Sequence, residues 1–490
     1  MAEGGFILTA SHNPGGLEED FGIKYNSSNG GPAPEGLTND IFERTKSISF
    51  IRWCPNLPLF DLDTLGLTTI GGPPGYPGGF TVQVIDPVED YASALGRVFD
   101  FPALRTLVAR SDFSMAYDGM CGVAGPYGRG ILGDILGVPA SSLRNCNPLP
   151  DFGGHHPDPN LTYAEELVKL CGLTRTGDVD PYSLDRPVPQ LGAAQDGDAD
   201  RNMILGSRFF VTPSDSIAVI TANAATAIPF FRTGVAAAAR SMPTSCALDR
   251  VARALGIPLF EVPTGWKFFG NLMDSLELGG KNYNPFLCGE ESFGTGSNHV
   301  REKDGLWAVL AWMSILAVRN AGVPEGKGSF VTVEDVVREH WKKYGRNYYC
   351  RYDYEGVEST AAAAVMEHLG KLVEKQSARG GTPTCLDVPG GGDYRLTHAD
   401  NFTYHDPVDG SVSKNQGLRF IMEDGSRIVF RLSGTGSVGA TIRVYIEKFE
   451  EDTTKHSLPT AEALKELAAI ALYISSIEKL TGRKEPTVIT

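Results

Sequence analysis

Ser11 lies in the turn Thr9-Ala10-Ser11-His12-Asn13-Pro14, straight after the apolar run Phe6-Ile7-Leu8, and has the setting of a nucleophile at a strand end. Far downstream, Asp196-Gly197-Asp198-Ala199-Asp200-Arg201 carries three carboxylates at alternate positions. Alternate side chains of an extended segment point the same way, so the three can converge while Gly197 and Ala199 face away. Three carboxylate oxygens suit a hard cation such as Mg²⁺, which leaves other positions to water or phosphate oxygen. A hydroxyl nucleophile and a magnesium-type site together point to phosphoryl transfer. An EF-hand does not fit, because Arg201 stands where that loop needs glycine and Ser207 where it needs glutamate. The alternative for the loop taken alone is a solvated acidic turn. Arg201 reduces the repulsion among the carboxylates and can also hold phosphate.

Three further segments carry polar chemistry. Arg431-Leu432-Ser433-Gly434-Thr435-Gly436-Ser437-Val438-Gly439 offers hydroxyls, glycines and a cation, the components of a phosphate cradle. Its formal Gly-x-Gly-x-x-Gly should open a helix if it bound a dinucleotide, yet 440–447 alternates as a strand. Ala440-Thr441 also stands where a Walker A loop needs Lys-Ser/Thr, and a glycine-rich hairpin without ligand remains open. Arg443 has the parity to face back toward this loop. Gly289-Glu290-Glu291-Ser292-Phe293-Gly294 can grip sugar hydroxyls, and Pro263-Thr264-Gly265-Trp266-Lys267 is a turn with polar reach or merely a packed tryptophan. His155-His156-Pro157-Asp158-Pro159 reads as a stiff loop rather than a metal site, since adjacent histidines point apart. No Gly-x-Ser-x-Gly elbow surrounds Ser11, which argues against a serine hydrolase.

The elements that must position these residues follow α/β grammar, short apolar strands alternating with helical patterns. At about 150 residues per domain, 490 residues imply roughly three domains with ample core. Boundaries fall at the Gly/Pro-rich 71–79, after the stretch Ser207 to Thr212, and at 322–328, giving units at 1–80, 81–212, 213–328 and 340–490. Thr81 to Ile85 reads as a strand, Tyr127 to Leu136 as helical, Ser214 as a helix cap, and Asp304 as the cap of the apolar helix Leu306 to Val318. Leu418 to Met422 and Arg427 to Leu432 form a hairpin through Asp424-Gly425, and a helix runs from about Thr460 to Leu480. A 42% hydrophobic and 21% charged composition is globular, and net charge −15 argues against nucleic-acid binding. Eight scattered cysteines without a Cys-x-x-Cys pair fit a reduced, cytoplasmic chain. No run of about 18 apolar residues suggests integral membrane association.

Taken together, the motifs make the chain similar to the α-D-phosphohexomutases, particularly the eukaryotic phosphoglucomutase and parafusin branch. The resemblance runs over essentially the whole chain, through residues 9–14, 20–25, 29–35, 196–201, 263–270, 288–294 and 431–443. It implies a heart-shaped protein of three related α/β domains and a C-terminal α+β domain. It implies Ser11 as a phosphoserine with His12 and Lys24 beside the reacting phosphate. Mg²⁺ would be held by Asp196, Asp198, Asp200 and the Ser11 phosphate, with Arg201 close to it. Glu290 and Ser292 would contact sugar, Thr264, Gly265 and Lys303 would lie in the specificity loops, and Arg431, Ser433, Thr435 and Arg443 would bind the distal phosphate. The implied reaction interconverts glucose 1-phosphate and glucose 6-phosphate through glucose 1,6-bisphosphate in a monomer or weak dimer, with a phosphosugar as the partner. The other implied role is a parafusin-like phosphoprotein scaffold in vesicle traffic with little turnover. Phosphomannomutase and acetylglucosamine-phosphate mutase are disfavoured by Gly-Glu-Glu-Ser-Phe-Gly. Two departures stand out: Ala199 replaces a glycine of the family's acidic loop, and no Thr-Ser-Gly-Leu-Arg motif precedes Ser11. The second leads to the expectation of a truncated first domain, with impaired activity or stability.

Overall fold

The structure, a computed structural model, describes residues 3–53, 59–71, 79–326, 329–380, 382–386, 388–433 and 439–490. Strand Gly4–Leu8 pairs antiparallel with Ile23–Ser27, placing Phe6 opposite Tyr25 and bringing Lys24 back beside the turn that holds Ser11. Helix Glu35–Thr45 and the hairpin of Gly66–Ile70 with Phe80–Val84 follow. Among the described residues before 86, Ala33 is the only buried apolar side chain, whereas Phe6, Phe21 and Trp53 are each more than 75% exposed (76%, 78% and 80%). Polar contacts hold this stretch to the rest: Asn26 Nδ2 donates to Glu302 Oε1 at 2.8 Å, and Asn29 Nδ2 to Asp274 at 2.7 Å.

Residues 87–211 build a five-stranded sheet in the order Leu143–Arg144, Met115–Asp118, Leu191–Gln195, Asn202–Gly206, Phe209–Val211. The first three strands are mutually parallel, and Asn202–Gly206 runs antiparallel to both of its neighbours. The segment expected to be helical near Tyr127 is a short α-helix, Ala124–Tyr127, continuing as a π-helix over Gly128–Ile135. Residues 213–344 form a four-stranded sheet, Leu259–Val262, Ala237–Ser241, Phe286–Gly289 and Thr295–Ser297 in order, flanked by five helices. Helix Pro213–Ala227 is capped by Thr212, whose Oγ1 accepts from the Asp215 amide at 3.1 Å, so the cap is two residues earlier than Ser214. The proline at the first helical position explains the shift, because its missing N–H costs nothing there.

Helix Gly305–Asn320 begins at Asp304 as expected, with Asp304 Oδ1 accepting from the Trp307 amide at 2.9 Å and the Tyr91 hydroxyl at 2.6 Å. It is apolar around its whole circumference and buried, touching strands Leu191–Gln195 and Asn202–Gly206 as well as Thr295–Ser297 and helix Pro213–Ala227. One hydrophobic core therefore runs across the 212/213 boundary, from Leu104 and Tyr117 to Trp307, Trp312 and Trp341.

The C-terminal part is a seven-stranded antiparallel sheet backed by helices Ser359–Ser377 and Lys465–Ser475. Its hairpin Leu418–Met422 with Arg427–Ser433 turns through Asp424-Gly425, and Asp424 Oδ1 accepts from the Ser426 amide at 2.9 Å. The last helix is interrupted at Leu464 and again at Ser476, whose φ is +52°, into Thr460–Ala463, Lys465–Ser475 and Ile477–Thr481. Buried Arg427 ties this sheet to residues 213–344: it donates to the Met242 carbonyl at 2.7 Å and to that of Thr244, and pairs with Glu447. A guanidinium taken out of water needs this full set of acceptors.

Candidate active site

The acidic loop leaves the C-terminal end of the buried strand Leu191–Gln195, the end of a parallel strand where α/β sheets place their ligands. One carboxylate oxygen from each of Asp196, Asp198 and Asp200 lies within 4.8 Å of the others. The convergence comes from a tight turn rather than from extended alternation. Ala199 sits at φ +67°, in the left-handed region that strains a Cβ. Asp196 Oδ2, Asp198 Oδ1 and Asp200 Oδ1 are buried without hydrogen-bond partners. Three close carboxylates, each with a buried oxygen that makes no hydrogen bond, offer the donor set of a hard cation.

The turn that holds Ser11 is seated on this loop. A Cβ on Gly197 would lie 2.7 Å from the Ser11 carbonyl oxygen, so only glycine permits the approach. Thr9 couples the two: its Oγ1 accepts from the Ser11 amide at 2.8 Å and donates to Asp198 Oδ2 at 2.9 Å. Ser11 has φ +59°, a conformation a serine adopts only when its surroundings impose it. Its Oγ stands 3.2 Å from His12 Nδ1. Burial, then the Arg201 guanidinium, pushes the His12 imidazole down to about 4, so it is neutral at ordinary pH.

Cations balance the triad from two sides. Lys24 Nζ is 3.8 Å from Asp198 and 3.6 Å from Asp200, and Lys303 Nζ is 3.1 Å from Asp200. Burial and then Asp200 and Asp198 raise the Asp196 carboxyl well above the usual range. Burial also acts to raise Asp200, but Lys303 and Lys24 outweigh it and hold Asp200 below that range. Burial disfavours the Lys303 ammonium, yet Asp200 and Glu290 hold it above the ordinary lysine range. Arg201 donates from its amide to Asp196 Oδ1 at 3.0 Å and pairs with Asp158 at 3.2 Å.

Glu290 and Ser292 adjoin this centre, since the Asn202 amide donates to the Phe293 carbonyl at 2.8 Å. Glu290 is buried, and burial raises its carboxyl. Its Oε1 accepts from the Gly265 amide at 3.0 Å, while Thr264 Oγ1 is buried and partnerless. Trp266 is buried as well, so the 263–267 turn combines packing with polar reach. Arg431, Ser433 and Arg443 form a separate group on the C-terminal sheet, with no hydrogen bond or ion pair to the triad among the described residues. Thr435 lies outside the described residues. Sequence reasoning missed Thr9, Asp158 and His156, which stacks on His12 at 6.3 Å. The 155–159 loop thus braces the centre, and the polar residues flanking Pro157 were its only local signal.

Family models described as phosphoglucomutase/phosphomannomutase α/β/α domains I, II and III match residues 1–52, 89–208 and 213–344. A model of the phosphoglucomutase-1 C-terminal domain matches 346–487. The chain is 55% identical over 497 residues to a probable cytoplasmic phosphoglucomutase 2 of Arabidopsis thaliana, covering all of this chain and 80% of the relative. It is 55% identical over 494 residues to the cytoplasmic phosphoglucomutase of Bromus inermis, covering 100% and 81%. The solved open form of the exocytosis-sensitive phosphoprotein pp63/parafusin, a Paramecium phosphoglucomutase, superposes with a TM-score of 0.84 at 51% identity, covering 100% of this chain and 80% of that one. The chain belongs to the phosphoglucomutase/phosphomannomutase family. Within it the chain is of the phosphoglucomutase kind, an isomerase acting by phosphoryl transfer on the expected α/β architecture with a C-terminal α+β unit.

Two consequences are measurable. Ala199→Gly relieves the left-handed strain and stabilises the fold by about 1 kcal/mol; urea unfolding should show a higher midpoint at unchanged slope, and a lower midpoint would contradict the strain. Because the folded value of His12 lies below its ordinary one, its neutral form contributes stability above pH 6.5 that is lost as pH falls toward 4. In the dephosphorylated protein its NMR signal should stay neutral down to about pH 5, and a midpoint near 6.5 would refute the burial argument.

Proposed function

We propose that Ser11 carries the transferred phosphoryl group as a phosphoserine, and that the chain interconverts glucose 1-phosphate and glucose 6-phosphate through glucose 1,6-bisphosphate. The observation that carries this reading is the seating of Ser11 on Gly197, which brings a strained nucleophile turn against three converging carboxylates. The partnerless oxygens of Asp196, Asp198 and Asp200 fit Mg²⁺, completed by an oxygen of the Ser11 phosphate. When bound, the ion supplies charge stabilisation at the transferring group. Lys24 stands ready to share that role from the hairpin strand. Neutral His12 can hydrogen-bond and orient Ser11 Oγ, 3.2 Å away.

Glu290 and Ser292 receive the sugar hydroxyls, with Thr264, Gly265 and Lys303 shaping the same wall and Arg201 facing the reacting phosphate. Arg431, Ser433, Thr435 and Arg443 hold the phosphate that is not reacting. The bisphosphate carries phosphate at both ends, so one distal site serves both orientations. The chain works as a monomer or weak dimer in the cytoplasm, a placement supported by the names of its plant relatives. A second reading, a phosphoprotein whose phosphorylation matters more than its turnover, is favoured by the description of the Paramecium relative.

The purified chain, given glucose 1-phosphate, Mg²⁺ and a trace of glucose 1,6-bisphosphate, should form glucose 6-phosphate. A chelator should stop it, and Ser11→Ala should slow it by at least about 1,000-fold. Turnover by Ser11→Ala at the parent rate would eliminate the Ser11 assignment, and a silent parent chain would favour the phosphoprotein reading.

A further inference from the structure

We infer that Asp353 is a positioning residue for the distal phosphate, holding Arg443 in a row of guanidiniums on the C-terminal sheet. The inference rests on the reading of Arg431 and Arg443 as phosphate ligands. Strands Arg427–Ser433, Ala440–Glu450 and Arg346–Val357 lie side by side, and Arg431, Arg443 and Asp353 stand opposite one another in register. Val429, Tyr445 and Arg351 make the next rung of the same face, two residues along each strand. Asp353 is therefore the carboxylate among Arg351, Arg443 and Arg431.

Asp353 divides its two oxygens in a telling way. Oδ2 pairs with Arg351 Nη2 at 3.0 Å. Oδ1 is buried without a hydrogen-bond partner and lies 3.9 Å from Arg443 Nε, itself buried and partnerless. Asp400 in the same sheet gives both oxygens to Arg419, accepting from Nε at 2.8 Å and Nη2 at 2.6 Å, while its Oδ2 also lies 3.3 Å from His398 Nε2. Asp353 instead leaves one oxygen directed at the arginine of the distal group. Burying guanidiniums with no counter-charge would cost too much, so Asp353 keeps the array tenable when no phosphate is present. Glu291, across the domain boundary, adds its field to Arg351 and Arg431.

The test uses Asp353→Asn and Asp353→Glu in the full chain, with glucose 6-phosphate affinity measured by calorimetry beside steady-state kinetics. Asp353→Asn should weaken the Kd and raise KM for glucose 1-phosphate by about tenfold, the scale of one charge-assisted contact. Its kcat should fall less than about threefold, with Tm close to the parent's. Asp353→Glu keeps the charge but displaces the oxygens, so an intermediate loss of about two- to fivefold is expected. If the Asn variant does not fold, the Glu variant decides. A lowered Tm with unchanged Kd would mean a purely structural ion pair and overturn the inference. If the parent chain binds and turns over while the folded variants match it, the inference alone fails. If the parent neither binds nor turns over phosphosugar, the functional reading fails and the inference falls with it.

Discussion

Three carboxylates crowd within 4.8 Å of one another at the end of a buried strand, and the rest of the centre is organised around their repulsion. At an effective dielectric near 20, each such pair costs about 3 kcal/mol, so the three together approach the whole stability of an ordinary domain. Lys303 at 3.1 Å and Lys24 at 3.6 Å from Asp200 Oδ2, and Arg201 at 3.9 Å from Asp196 Oδ2, reduce that cost, yet Asp196 Oδ2, Asp198 Oδ1 and Asp200 Oδ1 keep no hydrogen-bond partner. The protein thus neutralises the loop from its flanks and leaves the middle for a cation.

The same loop fixes where Ser11 sits. Gly197 admits the Ser11 carbonyl, Thr9 bridges Ser11 to Asp198, and Ser11, Ala199 and Phe293 all hold left-handed conformations. Strain of this kind persists only where packing over-determines it. Here the packing comes from the core shared across residues 87–344, with Asp304 anchoring both Tyr91 and helix Gly305–Asn320. The stretch that carries Ser11 contributes almost no apolar core, so its position relies on polar contacts to the acidic loop, Asp274 and Glu302.

What was legible in the sequence was local. The acidic loop, the Asp304 cap, the hairpin through Asp424-Gly425 and the strand character of 440–447 each rest on neighbouring residues, and motif resemblance joined them into one reaction. The helix cap was misplaced by two residues because Pro213 competes with the Ser214 signal. The turn at Ala199 could not be read from alternation, since the side-chain pattern of a strand and of a tight acidic turn is the same. Thr9 with Asp198, Arg201 with Asp158, and Asp353 with Arg443 are partners separated by at least 43 residues, and nothing in their spacing announces them. The fold creates these pairs, and they set the orientation of the groups the motifs supply.

The central claim is that the triad holds one divalent cation beside Ser11. Mn²⁺, which shares the oxygen preference of Mg²⁺, reports on it directly through calorimetry and anomalous diffraction. One ion per chain, located among Asp196, Asp198 and Asp200 and lost in Asp198→Asn, is the predicted result. An ion bound elsewhere, or equal affinity in Asp198→Asn, would contradict it.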